Sequence, residues 1–564
     1  YRNYKTMDTS AIYAEEIDIL KPQQLERAID VEVETNILEP VSHQYTSRNG
    51  GQTRFVLPAK AVLDAPNAAL TFEIVNGEAA GEGTDRRLAF PLMTGGTAMI
   101  RRMTVRTGGQ IISQVNEVDL YNTVKNVFKS NAYKRNILDV RHASSNSQKL
   151  KILQLQSGTT AGGFTLGNNL VGYHQISNND IDQQNTWGNN VLTAAVPNVQ
   201  NSGVEVSHLF QKNKLLRNYD NRGLGPEVTI RLGDIMPFFE SNQLPLLAMA
   251  QTELVIEWNA GPSATTQYAA INNAPVIVNN TDIAGGTFGL NIGFAAPPTL
   301  QVDYIHYPQE EQENILNIVQ SGGLRLNFSE VVTTFGVNPE KPAGDGTTSV
   351  TSNHILGMAG KEVKKIYISK NYDKLSTQGQ VERDNTQTGC QTHVNKYLWD
   401  LKSIQTPGEI YNFIVNNERT YGLDIANPSQ AYNQLKQCEN VAHVLPAQYD
   451  TMDFNQNVLS LLNNTGEAGT VDNAAADTGF SQRIIGGSMN VIGLNLDKYN
   501  EMGDAVGNGE RIGSAPIEFR YTCNKTREAA TPANENSAAV NLTFFIEHRR
   551  SLIITKMGAS VSDA

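Results

Sequence analysis

Cysteine is scarce in this chain: Cys390, Cys438 and Cys523 are the only three among 564 residues. None lies in a CxxC pair or at a spacing typical of the Cys and His ligands of zinc. An odd, sparse set of this kind excludes a disulfide framework and a structural zinc site. Because the N-terminus also has no signal-peptide pattern, we expect three unpaired thiols in a chain made in a reducing compartment.

Charged residues and long apolar runs are also limited. Asp, Glu, Lys and Arg make up 18% of the residues, hydrophobic residues make up 40%, and the formal net charge is −12. This negative balance argues against the wrapping of nucleic acid, because phosphate binding needs a basic surface. We therefore expect no sequence-specific nucleic-acid binding. The chain also has no apolar run that approaches the ~18–20 residues that a transmembrane helix needs.

Catalytic and cofactor-binding motifs are missing as well. Residues 357–362 have the wrong spacing for a P-loop, and neither HExxH nor GxSxG occurs. The nine histidines are dispersed along the chain. Two of the many carboxylates could form a glycosidase pair, but nothing in the sequence selects one. The sequence predicts no catalytic, cofactor-binding or metal-ligating residue, and it argues against an enzyme.

Strand patterns, by contrast, are abundant. Apolar residues alternate with polar ones at a period of two, which places one face of a strand in a core and the other in solvent. Clusters of Gly, Pro and Asn separate these short segments, as in sandwiches and barrels. The clearest apolar sets are Val228-Ile230-Leu232, Leu254-Ile256-Trp258, Leu300-Val302-Tyr304 and Leu542-Phe544-Ile546.

A chain of this length is too long for one hydrophobic core, so two large domains are expected. A local repeat supports them, because residues 112–125 align without gaps with residues 423–436. The alignment matches Tyr121 with Tyr432, and it places Asn116 and Asn427 as N-caps of a helix in each half. Chance similarity in an Asn-rich chain is the alternative, but the matching caps and apolar faces favour duplication.

The predicted organisation has four parts. Residues 1–50 form an acidic arm without a core of its own, 51–307 the first sandwich, 308–322 a linker helix and 323–564 the second sandwich. Three polar stretches, 140–220, 260–298 and 440–480, are expected to be long insertions between strands. The basic clusters Asp85-Arg86-Arg87 and His548-Arg549-Arg550 are expected in solvated loops or intersubunit contacts rather than at nucleic acid.

Three segments, in this order and spacing, resemble the double jelly-roll major capsid proteins of the polinton-like virus, virophage and nucleocytoplasmic large DNA virus lineage. The first combines a strand, a glycine turn and a Tyr-Asn helix, the second a turn followed by a strand, and the third a last strand followed by an acidic helix. The segments are residues 95–105 (GGTAMIRRMTV) with Gly108-Gly109 and Asp119-Leu120-Tyr121-Asn122, residues 238–256 (FFESNQLPLLAMAQTELVI), and residues 300–307 (LQVDYIHY) with Glu310-Glu311.

The resemblance implies an all-β fold of two tandem eight-stranded jelly rolls with long loop insertions and a few short helices. It further implies a structural protein whose homotrimers are pseudo-hexameric capsomers that tile an icosahedral shell. Its partners would be neighbouring capsomers, penton proteins and minor capsid or cement proteins, with an internal membrane as a further partner. The chain would be synthesised inside the host cell and located in the virion.

Two readings from other classes remain open at this point. A carbohydrate-binding β-sandwich protein of a tail, fibre or secreted lectin type also explains the strands, the Asn-rich loops and the acidic charge. It predicts an aromatic platform or a calcium-binding carboxylate cluster, yet the chain has only three Trp and no Asp-x-Asp-x-Asp loop. A two-domain β-rich hydrolase is the remaining alternative.

Overall fold

The fold is taken from a computed structural model. The residues that it describes are 31–76, 87–89, 94–127, 137, 141–142, 153–156, 166–171, 224–240, 243–260, 277–279, 292–346, 349–372, 409–426, 430, 434, 491–497, 509–525 and 539–563.

The first half is built almost entirely from strands. Short helices interrupt them at α1 (Val118–Val127) and α2 (Leu232–Ile235), with single 3-10 turns such as Pro237–Phe239. The strands are β1 (Glu32–Leu38), β2 (Ser42–Thr46), β3 (Gly50–Leu57), β4 (Val62–Asp64), β5 (Ala69–Asn76), β6 (Arg87–Ala89), β7 (Ile100–Thr107), β8 (Gln110–Asn116), β9 (Leu153–Gln156), β10 (Leu166–Val171), β11 (Leu224–Arg231), β12 (Gln243–Pro245), β13 (Thr252–Trp258), β14 (Ile277–Asn279), β15 (Ile292–Phe294) and β16 (Thr299–His306).

The second half follows helix α3 (Gln309–Ser321), which occupies the stretch expected to link the two sandwiches. Gly323, at φ 86°, follows the helix and turns the chain into the next strand. The strands of this half are β17 (Leu324–Asn338), β18 (Ser349–Leu356), β19 (Glu362–Tyr372), β20 (Ile410–Val415), β21 (Glu418–Arg419), β22 (Val491–Asn495), β23 (Glu510–Arg511), β24 (Ile517–Asn524), β25 (Val540–Thr555) and β26 (Gly558–Asp563).

Strand order shows that each half is a jelly roll. In the first half one sheet runs β1-β16-β5-β11 and the facing sheet runs β3-β13-β7-β8. In the second half the corresponding sheets run β17-β25-β19-β22 and β18-β24-β20-β21. In both halves, the first, last, third and sixth of these eight strands form one sheet, and the second, seventh, fourth and fifth form the other. Eight antiparallel strands in this order form a jelly roll. The predicted fold class is confirmed.

The alternation predicted from the sequence corresponds to burial. The apolar residues named for β13, β16 and β25 are buried, as are Val228 and Ile230 of β11, while the polar neighbours in β11 and β16 face outward. Leu232, expected to continue the first of these strands, is buried but begins helix α2. β24 shows the pattern clearly, since every second residue is buried along its length. Ladder pairing satisfies the backbone polar groups, and burial of one face stabilises each sheet against its partner sheet.

The boundary predicted for the arm at residue 50 is wrong. β1 pairs with β16 over seven residues, from Glu32 opposite His306 to Leu38 opposite Leu300, and β2 pairs with β3. Both strands lie within the predicted arm but belong to the first roll, with β1 as the edge strand of its sheet. Residues 1–30 of that arm lie outside the described residues, as do most of the three long stretches predicted as insertions.

The helix predicted after Asn116 is present as α1, but its cap is shifted by one residue. Asn116 ends β8, and the residue before the helix is Glu117, at φ 51°. The Glu117 carbonyl accepts the hydrogen bond of the Tyr121 N–H at 2.9 Å, so Glu117 occupies the cap position. Tyr432 lies outside the described residues, so its equivalence to Tyr121 stays a prediction.

Candidate functional site: the seam between the two rolls

The two rolls meet along a seam, defined here as the contact of β8, α1 and the Pro237–Phe239 turn with the outward face of β17, β25 and β19. Successive residues of β19 and β25 divide between two cores. Ile366 and Ile546 pack inside the second roll, whereas Tyr367 and Phe545 join the core of the first roll. The second roll therefore supplies part of the first roll's core, and burial of this apolar surface stabilises the two rolls as one body.

Helix α1 carries the central polar contact of the seam. Its Tyr121 is fully buried, and its hydroxyl donates a 2.5 Å hydrogen bond to Oε1 of Glu547 on β25. The Tyr121 ring packs at a tilt on Phe545, with 5.5 Å between ring centroids. Lys125 Nζ lies 3.9 Å from the same Glu547 oxygen, which supplies a countercharge. Burial and the neighbouring Glu547 carboxylate raise the pKa of Tyr121, so the phenol stays protonated and remains a donor.

A second buried carboxylate lies where β17 crosses β8. The backbone N–H of Gln114 donates to Oε1 of Glu330 at 2.8 Å, and the Thr333 hydroxyl donates to the Asn116 carbonyl at 3.2 Å. Burial raises the pKa of Glu330 to about 7, although the hydrogen bond from Gln114 favours the charged form. The end of β8 is thus hydrogen-bonded to the second roll.

Aromatic packing closes the seam at its other end. Phe238, in the Pro237–Phe239 turn, meets Phe328 of β17 edge to face, with 5.0 Å between ring centroids. Both rings are buried. This turn opens the segment of residues 238–256, so that segment contributes to the joint between the rolls.

Charged groups next to the seam have shifted pKa values. Burial lowers the pKa of Lys364, whose ammonium donates to the Ser329 hydroxyl at 3.0 Å. Burial also lowers the pKa of His548 to about 4, so its ring is neutral at pH 7. The cluster His548-Arg549-Arg550 lies within β25, so the solvated loop expected for it is wrong, and the alternative of an intersubunit contact stays a prediction. Arg550 Nε lies 2.9 Å from Oδ1 of Asp563, on the paired strand β26.

No catalytic or ligand-binding residue was predicted, and the described residues do not assemble a metal centre. Among them, no group of three or more His, Cys, Asp or Glu side chains is placed to hold a metal ion. Within the same part of the chain, no helix has the length and apolar character needed to span a bilayer. Cys523 is buried and unpaired, and burial raises the pKa of its thiol to about 11. Cys390, Cys438, Asp85 and Arg86 lie outside the described residues.

Sequence reasoning singled out Tyr121 through the repeat but missed both seam carboxylates. Glu330 and Glu547 stand at outward positions of strands, where a carboxylate normally faces water. Only burial against the first roll distinguishes these two carboxylates from ordinary exposed glutamates. This burial depends on contacts between residues more than 200 positions apart in the sequence. No local signal in the sequence could have identified them.

Two jelly rolls in tandem that pack against each other along a seam define a double jelly-roll protein, and solved viral capsid proteins resemble it. PBCV-1 VP54, fitted into a reconstruction of the virophage Sputnik, is 10% identical over 96% of this chain and 99% of its own, with a TM-score of 0.48. The Sputnik virophage structure is 13% identical over 96% and 91%, with a TM-score of 0.46. The mavirus major capsid protein is 12% identical over 100% and 96%, with a TM-score of 0.38.

No protein-family model matches the chain, and no curated protein sequence does. At this level of similarity the solved structures carry no argument about function. The jelly-roll assignment rests on strand order within the chain itself.

Proposed function

We propose that this chain is a viral major capsid protein that acts as a structural component and not as an enzyme. Three copies form a capsomer of pseudo-hexameric outline, and these capsomers tile an icosahedral shell. The observation that carries the proposal is the seam, which joins two jelly rolls of identical strand order into one body. Three such chains bring together six like rolls, which suits packing of near-sixfold symmetry.

The energetics of the seam support a building block rather than two flexibly linked domains. Its aromatic and aliphatic residues are continuous with the core of the first roll, and its polar contacts include a buried phenol–carboxylate hydrogen bond. Domains that move for catalysis are usually joined by smaller, more polar interfaces. A shell component has the opposite requirement, because its outline must stay fixed while neighbours attach.

The proposed partners follow from this role. They are further copies of the chain, neighbouring capsomers, and penton and minor capsid or cement proteins, with an internal membrane as a further candidate beneath the shell. The net charge of −12 argues that the enclosed genome is not bound through its phosphates. The proposed location is the capsid shell of the virion, after synthesis in the host cell.

Light scattering coupled to size exclusion tests the proposal, followed by electron microscopy of the purified protein. We expect a particle of three chain masses that appears hexagonal in projection and assembles into closed shells. A glycan array and a calcium titration are run in parallel. A monomer at every concentration that binds glycans would contradict the capsid proposal in favour of the lectin-type alternative.

A further inference from the structure

A group of buried polar side chains lies at one end of the second roll, inside the sandwich. Asn338, the last residue of β17, is fully buried, and Lys525, directly after β24, is only 1% exposed. The Lys525 ammonium donates to the main-chain carbonyl of Pro339 at 2.5 Å and to that of Asn338 at 3.3 Å. Because β17 and β24 belong to the two facing sheets, this contact spans the sandwich.

The side-chain amide of Asn338 is held by hydrogen bonds at both ends. Its Nδ2 donates to the Ser352 hydroxyl at 3.0 Å and to the Val350 carbonyl at 3.4 Å. Its Oδ1 accepts a hydrogen bond from the Cys523 thiol at 3.2 Å. Burial raises the pKa of Cys523 to about 11, so the thiol keeps its proton and remains a donor. The amide carbonyl is therefore polarised in a dry environment, where a hydrogen bond is stronger than in water.

The Lys525 amine is suited to act as a nucleophile. Burial lowers the pKa of Lys525, because the core disfavours the charged ammonium, although the nearby Cys523 and Glu340 act in the opposite direction. A desolvated lysine reacts as the neutral amine, which has a free electron pair for attack on a carbonyl carbon. The amine already contacts Asn338, so attack requires it to shift from the main-chain carbonyl to the side-chain carbonyl of one residue. The flexible four-carbon stem of lysine permits such a shift.

We propose that Lys525 and Asn338 join through an isopeptide bond that forms spontaneously in the folded chain and links the two sheets of the second roll. Nζ of Lys525 attacks Cγ of Asn338, and the hydrogen bond from Cys523 stabilises the negative charge that develops on Oδ1. The new Nζ–Cγ bond replaces the Cγ–Nδ2 bond. One amine proton passes to the leaving nitrogen, which departs as ammonia, and the step consumes neither water nor an oxidant.

The link would restrain a large part of the second roll. It joins residues 187 positions apart, and a cross-link over so long a segment lowers the entropy of the unfolded chain. Pro339 also excludes the usual fate of an asparagine side chain, which is attack by the backbone nitrogen of the next residue. Proline has no backbone N–H, so loss of ammonia at Asn338 without gain of water identifies the cross-link.

Mass spectrometry of the purified full-length chain tests the inference. We expect a mass one ammonia below that of the sequence, and a protease digest with one branched peptide that contains both residues. Asn338→Ala removes the amide and Lys525→Arg removes the nucleophile, so both variants should keep the full sequence mass. Lys341→Arg is the matched control, because Lys341 is also buried and donates to the Lys525 carbonyl at 3.1 Å, and it should still lose ammonia. Circular dichroism verifies that each variant is folded.

The rate of bond formation tests the part assigned to Cys523. Cell-free synthesis followed by mass spectrometry at successive times measures this rate. Cys523→Ala should slow it at least about tenfold, and Cys523→Ser, which keeps a donor, should slow it less. An unchanged rate in folded Cys523→Ala would overturn the role of the thiol. A full-length chain that keeps its full mass after prolonged incubation at pH 8, or an ammonia loss that persists in Asn338→Ala, overturns the cross-link itself.

Discussion

At the scale of single residues, the seam contains two buried carboxylates that bind across it. Glu330 and Glu547 are both buried between the rolls, and each accepts a hydrogen bond from the first roll. For Glu330, burial makes the ionised form costly, and the hydrogen bond from the Gln114 N–H offsets only part of that cost. Both groups make contacts that hold the rolls in one register, and the ionised form of Glu330 also limits the stability of the joint.

Glu330 should make stability depend on pH. Its pKa rises from 4.5 to about 7 on folding, so the folded state binds more protons between these values. Its contribution to the free energy of unfolding is thus greatest below pH 4.5 and is lost as pH rises through about 7. We expect Glu330→Gln, which keeps an acceptor for the Gln114 N–H, to stabilise the protein by up to about 3 kcal/mol at pH 8 and little at pH 4.

Urea unfolding at the two pH values measures this difference. Glu418→Gln, on the exposed strand β21, is the matched control and should show no such change. Equal effects of Glu330→Gln at both pH values would show that the carboxylate titrates alike in the folded and unfolded states.

Tyr121 allows its hydroxyl to be tested separately from its ring. Tyr121→Phe keeps the packing on Phe545 but leaves Glu547 without its phenol donor, which should cost about 1.5–3 kcal/mol. Tyr304→Phe is the control, because the Tyr304 ring is buried while its hydroxyl has no hydrogen-bond partner among the described residues. Thermal unfolding of the two variants at pH 7 should therefore differ, and equal melting temperatures would mean that the Tyr121–Glu547 bond contributes no net stability.

At the scale of elements, the edge strand β1 completes a sheet of the first roll although it carries little core. None of its side chains is buried, yet its ladder with β16 spans all seven residues. Its contribution comes from paired backbone groups and from contacts such as Lys60 Nζ with Oε1 of Glu34 at 2.7 Å. Hydrogen bonding to Lys60 holds the pKa of Glu34 at about 2, below its ordinary value, so this carboxylate is charged at neutral pH.

Truncation should separate β1 from the residues before it. A chain that starts at Val31 keeps every ladder of the first roll and should melt near the full-length chain. A chain that starts at Ser47 lacks β1 and β2, exposes the β16 edge and should melt lower by several degrees. Differential scanning calorimetry makes the comparison. Equal melting of both truncations would restore the view that residues up to 46 are a dispensable arm.

At the scale of the whole molecule, the shared core predicts that the rolls depend on each other. Phe545 belongs to the second roll by sequence but packs in the core of the first, whereas Phe413 packs within the second roll alone. Each Phe→Ala substitution should cost about 3–5 kcal/mol, so overall destabilisation is matched. Only Phe545→Ala removes a contact of α1.

Hydrogen exchange by mass spectrometry distinguishes the two variants. Amides in α1 and β8 of the first roll should exchange at least about tenfold faster in Phe545→Ala than in Phe413→Ala. Without the Phe545 ring, the local opening of α1 and β8 no longer costs the free energy of breaking its contacts across the seam. Similar exchange in both variants would indicate that the rolls are stabilised independently.

The sequence by itself determined the local features of this protein. Alternation of period two fixed the inward residues of β11, β13, β16 and β25, because a strand with one buried face needs apolar side chains at every second position. Chain length and the local repeat predicted two tandem domains, and their eight-strand orders agree. The α1 helix was also predictable, apart from the residue that caps it.

Only the tertiary structure decided the features that depend on distant contacts. β1 was missed because none of its residues is buried, so its stability comes from pairing with a strand more than 250 residues away. The seam carboxylates were missed for a related reason. A Glu at an outward strand position looks the same in sequence whether water or another roll covers it, and burial, which sets its pKa and its energetic role, is a property of the assembled fold.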